Sequence, residues 1–182
     1  MIIIDSSFAS LEEAIQGTKA PPEVISTLAL INVAYVSFDG LMHAGQLVMH
    51  TGLVRDVEDA FALMRTLRFP IAKVRPVVVY GWDDEASMDD NNSSGFNYRF
   101  ILDTNRLSNH SLGCALDLNP RQNPYRSRSQ KIYPSGAVYD PSAQGTLLAA
   151  GEIVRFFEDR GWEWGGTWTT VLDYHHFEKP QP

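Results

Sequence analysis

Two stretches of this 182-residue chain hold residue types whose spacing suits metal chemistry. The first, SNHSLGCALD, runs from Ser108 to Asp117 and sets His110 and Asp117 seven positions apart, with glycine and small apolar residues between them. The second, DYHHFE, gathers Asp173, His175, His176 and Glu178 near the C-terminus. The chain has five histidines, His43, His50, His110, His175 and His176. Any one of them alone is more often a surface or satisfied core residue than a ligand. Company sets the histidines of these two stretches apart. Cys114 is the single cysteine, which excludes an internal disulfide framework and a Cys-rich zinc site, so a metal would have to be held by His and carboxylates. A catalytic zinc takes three N or O ligands and keeps one position open, and His, Asp and His would supply them. Such a metal lowers the pKa of water, but cleaving an amide also needs a carboxylate that takes a proton and returns it to the leaving amine. Asp173, three residues before His176, is placed for that work.

The surrounding pattern says what must position these groups. Ser10 and Glu13 have the form of a capping box, with Gly17 ending the short helix and Pro21-Pro22 breaking the pattern. Leu28 to Phe38 and Met42 to Met49 read as two strands joined at Asp39-Gly40 in a hairpin. Val57, Ala60, Phe61, Met64 and Leu67 recur at helical spacing until Phe69-Pro70 stops the helix, and Pro76 to Tyr80 reads as a further strand. Two long irregular regions follow, Gly81–Asn97 and Asn119–Gly145, which could wall a cleft. Leu147, Ala150, Val154 and Phe157 mark the core face of a late helix ended by Gly161.

Bulk properties bound the function. With 44% hydrophobic residues and no internal repeat or dividing linker, the expectation is one domain over residues 1–182. A net charge of −7 without a run of Lys or Arg argues against nucleic acid as a partner. The opening MIIIDSSFASLEE lacks the basic and apolar regions of a signal peptide, and no apolar run reaches the roughly 18 residues of a membrane span. The chain as given is expected to be soluble, and its compartment stays open.

The pattern Ser-x-His-x-x-Gly-x-Ala-x-Asp at Ser108, His110, Gly113, Ala115 and Asp117, with a distal Asp-x-x-His-Phe, resembles the zinc D-alanyl-D-alanine carboxypeptidase and L-alanyl-D-glutamate endopeptidase family. These VanY-like peptidases act on bacterial cell wall and share a hedgehog-like fold. The resemblance extends to GFNYR, LNPRQNPY and GWEWGGTW, so it spans roughly Asp83 to Lys179, with residues 1–82 as the N-terminal part of the same domain. It implies an α+β fold in which an antiparallel sheet carries the zinc site and helices pack around it. It also implies that His110, Asp117 and His176 bind Zn2+, that Asp173 is the general base, and that Arg99 steadies the substrate carbonyl oxygen as charge develops. Family register selects His176 over His175, since neighbours on a strand point to opposite faces. The carboxypeptidases usually carry Glu at the base position and the endopeptidases often Asp, so Asp173 tilts the expectation toward the endopeptidase branch.

Plainer readings stand beside these. Arg99 could be a surface arginine with a carboxylate partner. Asn97, Ser108, Trp164 and Trp168 are candidate substrate contacts, yet aromatic residues beside a metal site are more often core. Ser108 is expected to orient a neighbouring group rather than act as nucleophile, because no histidine is free to activate it. Cys114 reads as a small buried strand residue, and Asp89 to Asn92 lack EF-hand spacing and read as a solvated loop. The expected substrate is a peptidoglycan stem peptide or muropeptide. The competing reading is a non-catalytic zinc-containing domain that binds cell-wall fragments or a protein partner.

Overall fold

The long hairpin organises the molecule. In the computed structural model, which describes residues 1–101 and 104–179, strands β2 (Leu28–Val36) and β3 (Met42–His50) pair antiparallel from Leu28↔His50 to Val36↔Met42. Their turn closes because Gly40 adopts a positive φ of 79° and the Asp39 carboxylate accepts from the Leu41 amide at 2.9 Å. Strand β1 (Ile2–Ile4) adds parallel to β3. Alternation along the hairpin then separates two cores. Ile31, Val33, Tyr35, Leu47 and Met49 face the main core, while Leu28 and Val48 face a smaller cluster with Ala14, Ile15 and Phe96.

Helix α1 (Leu11–Ala14) serves the smaller cluster and starts on the expected capping box: Ser10 Oγ accepts from Glu13 N, and Glu13 Oε2 accepts from Ala9 N. Helix α2 (Pro22–Ile25) leads into the hairpin. Helix α3 (Val54–Thr66) buries Val57, Ala60, Phe61 and Met64 in the main core. Leu67 instead lies at the exposed C-terminal cap. The second half of the chain completes this core with Leu116, Leu118, Leu147, Val154, Phe157, Trp162, Trp164 and Phe177.

The region expected to be a strand at Pro76–Tyr80 is a 3₁₀ turn over Val77–Tyr80, closed by Gly81 in the left-handed conformation. Pro76 has no N–H for a ladder, and the pairing lies upstream, where β4 (Lys73–Val74) runs parallel to β5 (Asn92–Ser93). The polar stretch after Gly81 contains helix α4 (Asp84–Asp89), capped by Asp83. Nor is the Asp89–Asn92 segment a solvated loop. Asp90 accepts from Lys73 at 2.6 Å and from Tyr80 at 2.7 Å, and Asn92 is buried.

Strand β6 (Ala115–Asp117) is followed by the hairpin of β7 (Tyr125–Arg126) and β8 (Ile132–Tyr133), by helix α5 (Glu152–Glu158), and by β9 (Glu163–Trp164), β10 (Leu172–Asp173) and β11 (His176–Glu178). Leu147 is buried but precedes α5, and Ala150 is exposed, so the helix begins later than its apolar spacing suggested. Two three-stranded sheets result, ordered β6-β11-β9 and β10-β7-β8. The architecture is mixed α+β, with small sheets and short helices around the shared core.

Buried asparagines hold the irregular region after β6. Asn119 adopts a positive φ of 48°, accepts from Ala72 N, and donates to the carbonyls of Pro70 and Gly145. Asn123 donates to the carbonyls of Leu118, Asn119 and Gly145 and accepts from Leu147 N. Truncating Asn123 strands these buried groups, each costing about 1–3 kcal/mol when left unpaired. Asn123→Ala should therefore lose about 3 kcal/mol or more in urea unfolding, and a loss under about 1 kcal/mol would contradict this network's importance.

Candidate metal centre

The register of β6 against β11 places Asp117 directly opposite His176. His110 reaches the same point from a 3₁₀ turn over Asn109–Leu112, which Ser108 caps by accepting from the His110 amide. Gly113 ends that turn with φ at 67°, and a Cβ there would come within 2.6 Å of His50 N, so the turn can seat against the end of β3 only with glycine. Three donor atoms then converge. His110 Nε2 lies 3.1 Å from Asp117 Oδ2 and 3.2 Å from His176 Nδ1, and His176 Nδ1 lies 2.9 Å from Asp117 Oδ1. All three residues are buried, and their donor atoms lie within 4.8 Å of one another.

Outer partners settle which nitrogen of each ring faces inward. His110 Nδ1 is hydrogen-bonded to the Gly95 carbonyl, so that nitrogen carries a proton and Nε2 turns inward. His176 has the opposite arrangement: Nε2 meets Glu178 Oε2 at 2.9 Å and Nδ1 turns inward. Gly95 can serve His110 because it packs directly on β3, where a Cβ would stand 2.6 Å from the Val48 carbonyl. Two imidazoles and a carboxylate, with their outer atoms already engaged, form a donor set that fits zinc.

The other site candidates separate into distinct groups. Asp173, on β10, lies with Oδ1 3.0 Å from His175 Nε2. Arg99 does have a carboxylate partner, with Nη2 2.8 Å from Asp84 Oδ2, while its buried Nε has no hydrogen bond among the described residues. Asn97 is buried, donates to Asp84 and hydrogen-bonds its amide to the His110 carbonyl. Ser108 is buried in its capping role. Trp164 is 2% exposed within the core and donates to the Tyr174 carbonyl. Trp168 is half-buried, with its ring 5.4 Å from that of His176. Cys114 is buried just before β6.

His175 departs from the strand argument. It sits in the turn before β11 rather than on the strand, and its Nε2 comes within 3.8 Å of Asp117 Oδ2. Both neighbouring histidines thus approach the same carboxylate. Sequence reasoning also gave no role to Glu178 or Asp84. Glu178 had a usable signal, since strand residues two apart share a face and it stands two after His176. Asp84 had none, being one of several acids in a polar run. The two irregular regions do wall a cleft of about 510 Å³, between Glu85, Met88 and Asp89 on α4 and Lys131 to Gly136. None of those residues is a candidate ligand.

The family model described as D-alanyl-D-alanine carboxypeptidase matches residues 102–179. The matched segment carries His110, Asp117, Asp173 and His176, and the match is to the family that the two motifs resemble. Asn97 and Arg99 fall before it. No curated protein and no solved structure matches the chain. Among the described residues, no helix is long and apolar enough to cross a membrane.

Burial works against charge in this cluster, but the groups compensate one another. Burial raises the Asp117 pKa, yet the charges of His110 and His175 outweigh it and hold the carboxyl well below its ordinary value. Burial lowers the pKa of His176, yet hydrogen bonds to Asp117 and Glu178 raise it above the ordinary histidine value. Without metal, His176 therefore keeps its proton at neutral pH, and a metal ion must displace it. That competition is present below the raised pKa and fades as pH rises through it. Zinc affinity should accordingly rise with pH from 6 to 8, by about tenfold per unit for each proton released. Titration calorimetry in buffers of different ionisation enthalpy checks this, and a pH-independent affinity would contradict it.

Proposed function

We propose that the protein is a zinc metallopeptidase that hydrolyses an amide bond in the peptidoglycan stem peptide, as an L-alanyl-D-glutamate endopeptidase or a D-alanyl-D-alanine carboxypeptidase. The observation that carries this reading is the buried convergence of His110, Asp117 and His176 inside the segment matched by the family. On this reading residues 1–182 form one hedgehog-like peptidase domain. His110 Nε2, a carboxylate oxygen of Asp117 and His176 Nδ1 would hold the ion, with Glu178 and the Gly95 carbonyl orienting the two rings. When bound, zinc would supply Lewis acidity and bring the pKa of water toward neutrality.

Asp173 then takes a proton from the attacking water and returns it to the leaving amine as the C–N bond breaks. Its buried Oδ1, without an aligned hydrogen bond among the described residues, retains the acceptor capacity that this step needs. Arg99 donates to the substrate carbonyl oxygen as negative charge gathers there, and its Nε, without a hydrogen bond among the described residues, supports that role. Asp84 holds the guanidinium in place. A domain that only bound zinc and a wall fragment would not require Asp173, which is why catalysis is favoured over the binding-domain reading. The shorter carboxylate at this position favours the endopeptidase branch.

Product masses from a defined stem pentapeptide and a crosslinked muropeptide test the assignment. A cut between L-Ala and D-Glu is expected, and loss of a single terminal D-Ala would instead establish the carboxypeptidase. Asp173→Asn should lower kcat by about 100-fold or more with zinc still bound. Full turnover in that variant would remove Asp173 as the base. His176→Ala should lose zinc, and turnover that persists after verified metal removal would sink the mechanism.

A further inference from the structure

His175 has no role in the chemistry above, yet it is 3% exposed and engaged at both ring nitrogens. Nδ1 donates to the Asn123 carbonyl at 2.8 Å, which directs Nε2 to the opposite side. There Nε2 meets Asp173 Oδ1 at 3.0 Å and stands 3.8 Å from Asp117 Oδ2. Its geometry differs from that of a ligand. The ring nitrogens of His110 and His176 approach Asp117 to 3.1 and 2.9 Å, closer than His175 comes.

The anchor behind His175 is stiff. Asn123 is fully buried, with four hydrogen bonds from its side chain. The turn itself is pinned on both sides, by Tyr174 N to the Pro124 carbonyl and by Leu118 N to the His175 carbonyl. A continuous path therefore runs from the buried asparagine through the imidazole to the carboxylate of Asp173. The contact with Oδ1 has ion-pair distance without hydrogen-bond alignment, so it restrains the carboxylate and leaves the oxygen able to accept elsewhere. A base needs both properties. Catalytic groups act within a few tenths of an ångström of a productive geometry, and their own rotamers must be held by packing and outer contacts.

We propose that His175 is a positioning residue that holds the Asp173 carboxylate in its working orientation, tying the base to the Asn123 network. This rests on the peptidase reading given above.

The test uses the full-length zinc-loaded protein, the variants His175→Leu and His175→Gln, and the pentapeptide and muropeptide substrates. His175→Leu should keep its zinc and its KM while kcat falls about 10- to 100-fold. His175→Gln, whose amide N–H₂ reaches toward the position of Nε2, should recover part of that loss. A kcat for His175→Leu within twofold of wild type would overturn the proposal, and so would loss of zinc in both variants, which would make His175 a ligand. Thermal melts of the metal-free protein give a readout independent of turnover. If the residues act together, Asp173→Asn should lower the melting temperature less in the His175→Leu background than in the wild type, whereas fully additive shifts overturn the positioning role. A wild type inactive on both substrates would overturn the peptidase reading itself, an outcome separate from additive shifts in an active enzyme.

Discussion

A carboxylate with 4% of its surface in contact with water is tolerable only where opposite charge or a metal meets it, and Asp117 is such a group. His110, His175 and His176 surround it, and the backbone on either side is arranged to deliver them. The β6–β11 register puts His176 across from Asp117, while an isolated bridge ties Ser94 to Asp117 on the other edge. Removing this carboxylate would take from His110 its ion-pair partner and leave Glu178 and Asp173 as the carboxylates beside His176 and His175. Removing the histidines would leave a buried anion. The cluster is thus one unit, and the small sheets around it make sense as the frame that holds that unit together.

The frame works by layers. Helix α3 and helix α5 come from opposite halves of the chain and pack in the same core, with the Phe157 ring tilted against Phe177 and edge-on to Trp162. Trp162 Nε1 and Lys179 Nζ both reach Asp56 Oδ2 at 2.9 Å, tying the start of α3 to the segment beyond β11. Since β11 carries both His176 and Phe177, alternation along a three-residue strand puts one side chain in the donor set and its neighbour in the core. Stability and chemistry share that strand.

The hairpin also reaches the site through one backbone contact. Phe96 N bonds to the Val48 carbonyl on β3, and the adjacent Gly95 turns its own carbonyl to His110 Nδ1. The N-terminal half, which lies outside the segment matched by the family, therefore backs the loop that orients one candidate ligand.

Much of this was legible in the residues. The hairpin showed in its strand formers and Asp-Gly turn, α3 in its periodicity, and the donor set in two separated motifs whose company outweighed any lone histidine. The misreadings share a cause. Pro76–Tyr80 and the start of α5 were judged from local apolar residues, but a strand needs a ladder partner and a helix face needs something to pack against. Residue chemistry by itself determined which groups could bind a metal and move a proton, because those capacities belong to side chains. Which ring nitrogen faces inward, which histidine meets Asp173, and that Asp84 pairs with Arg99 were decided by tertiary structure alone, because each depends on partners distant in the chain or on backbone geometry that spacing does not encode.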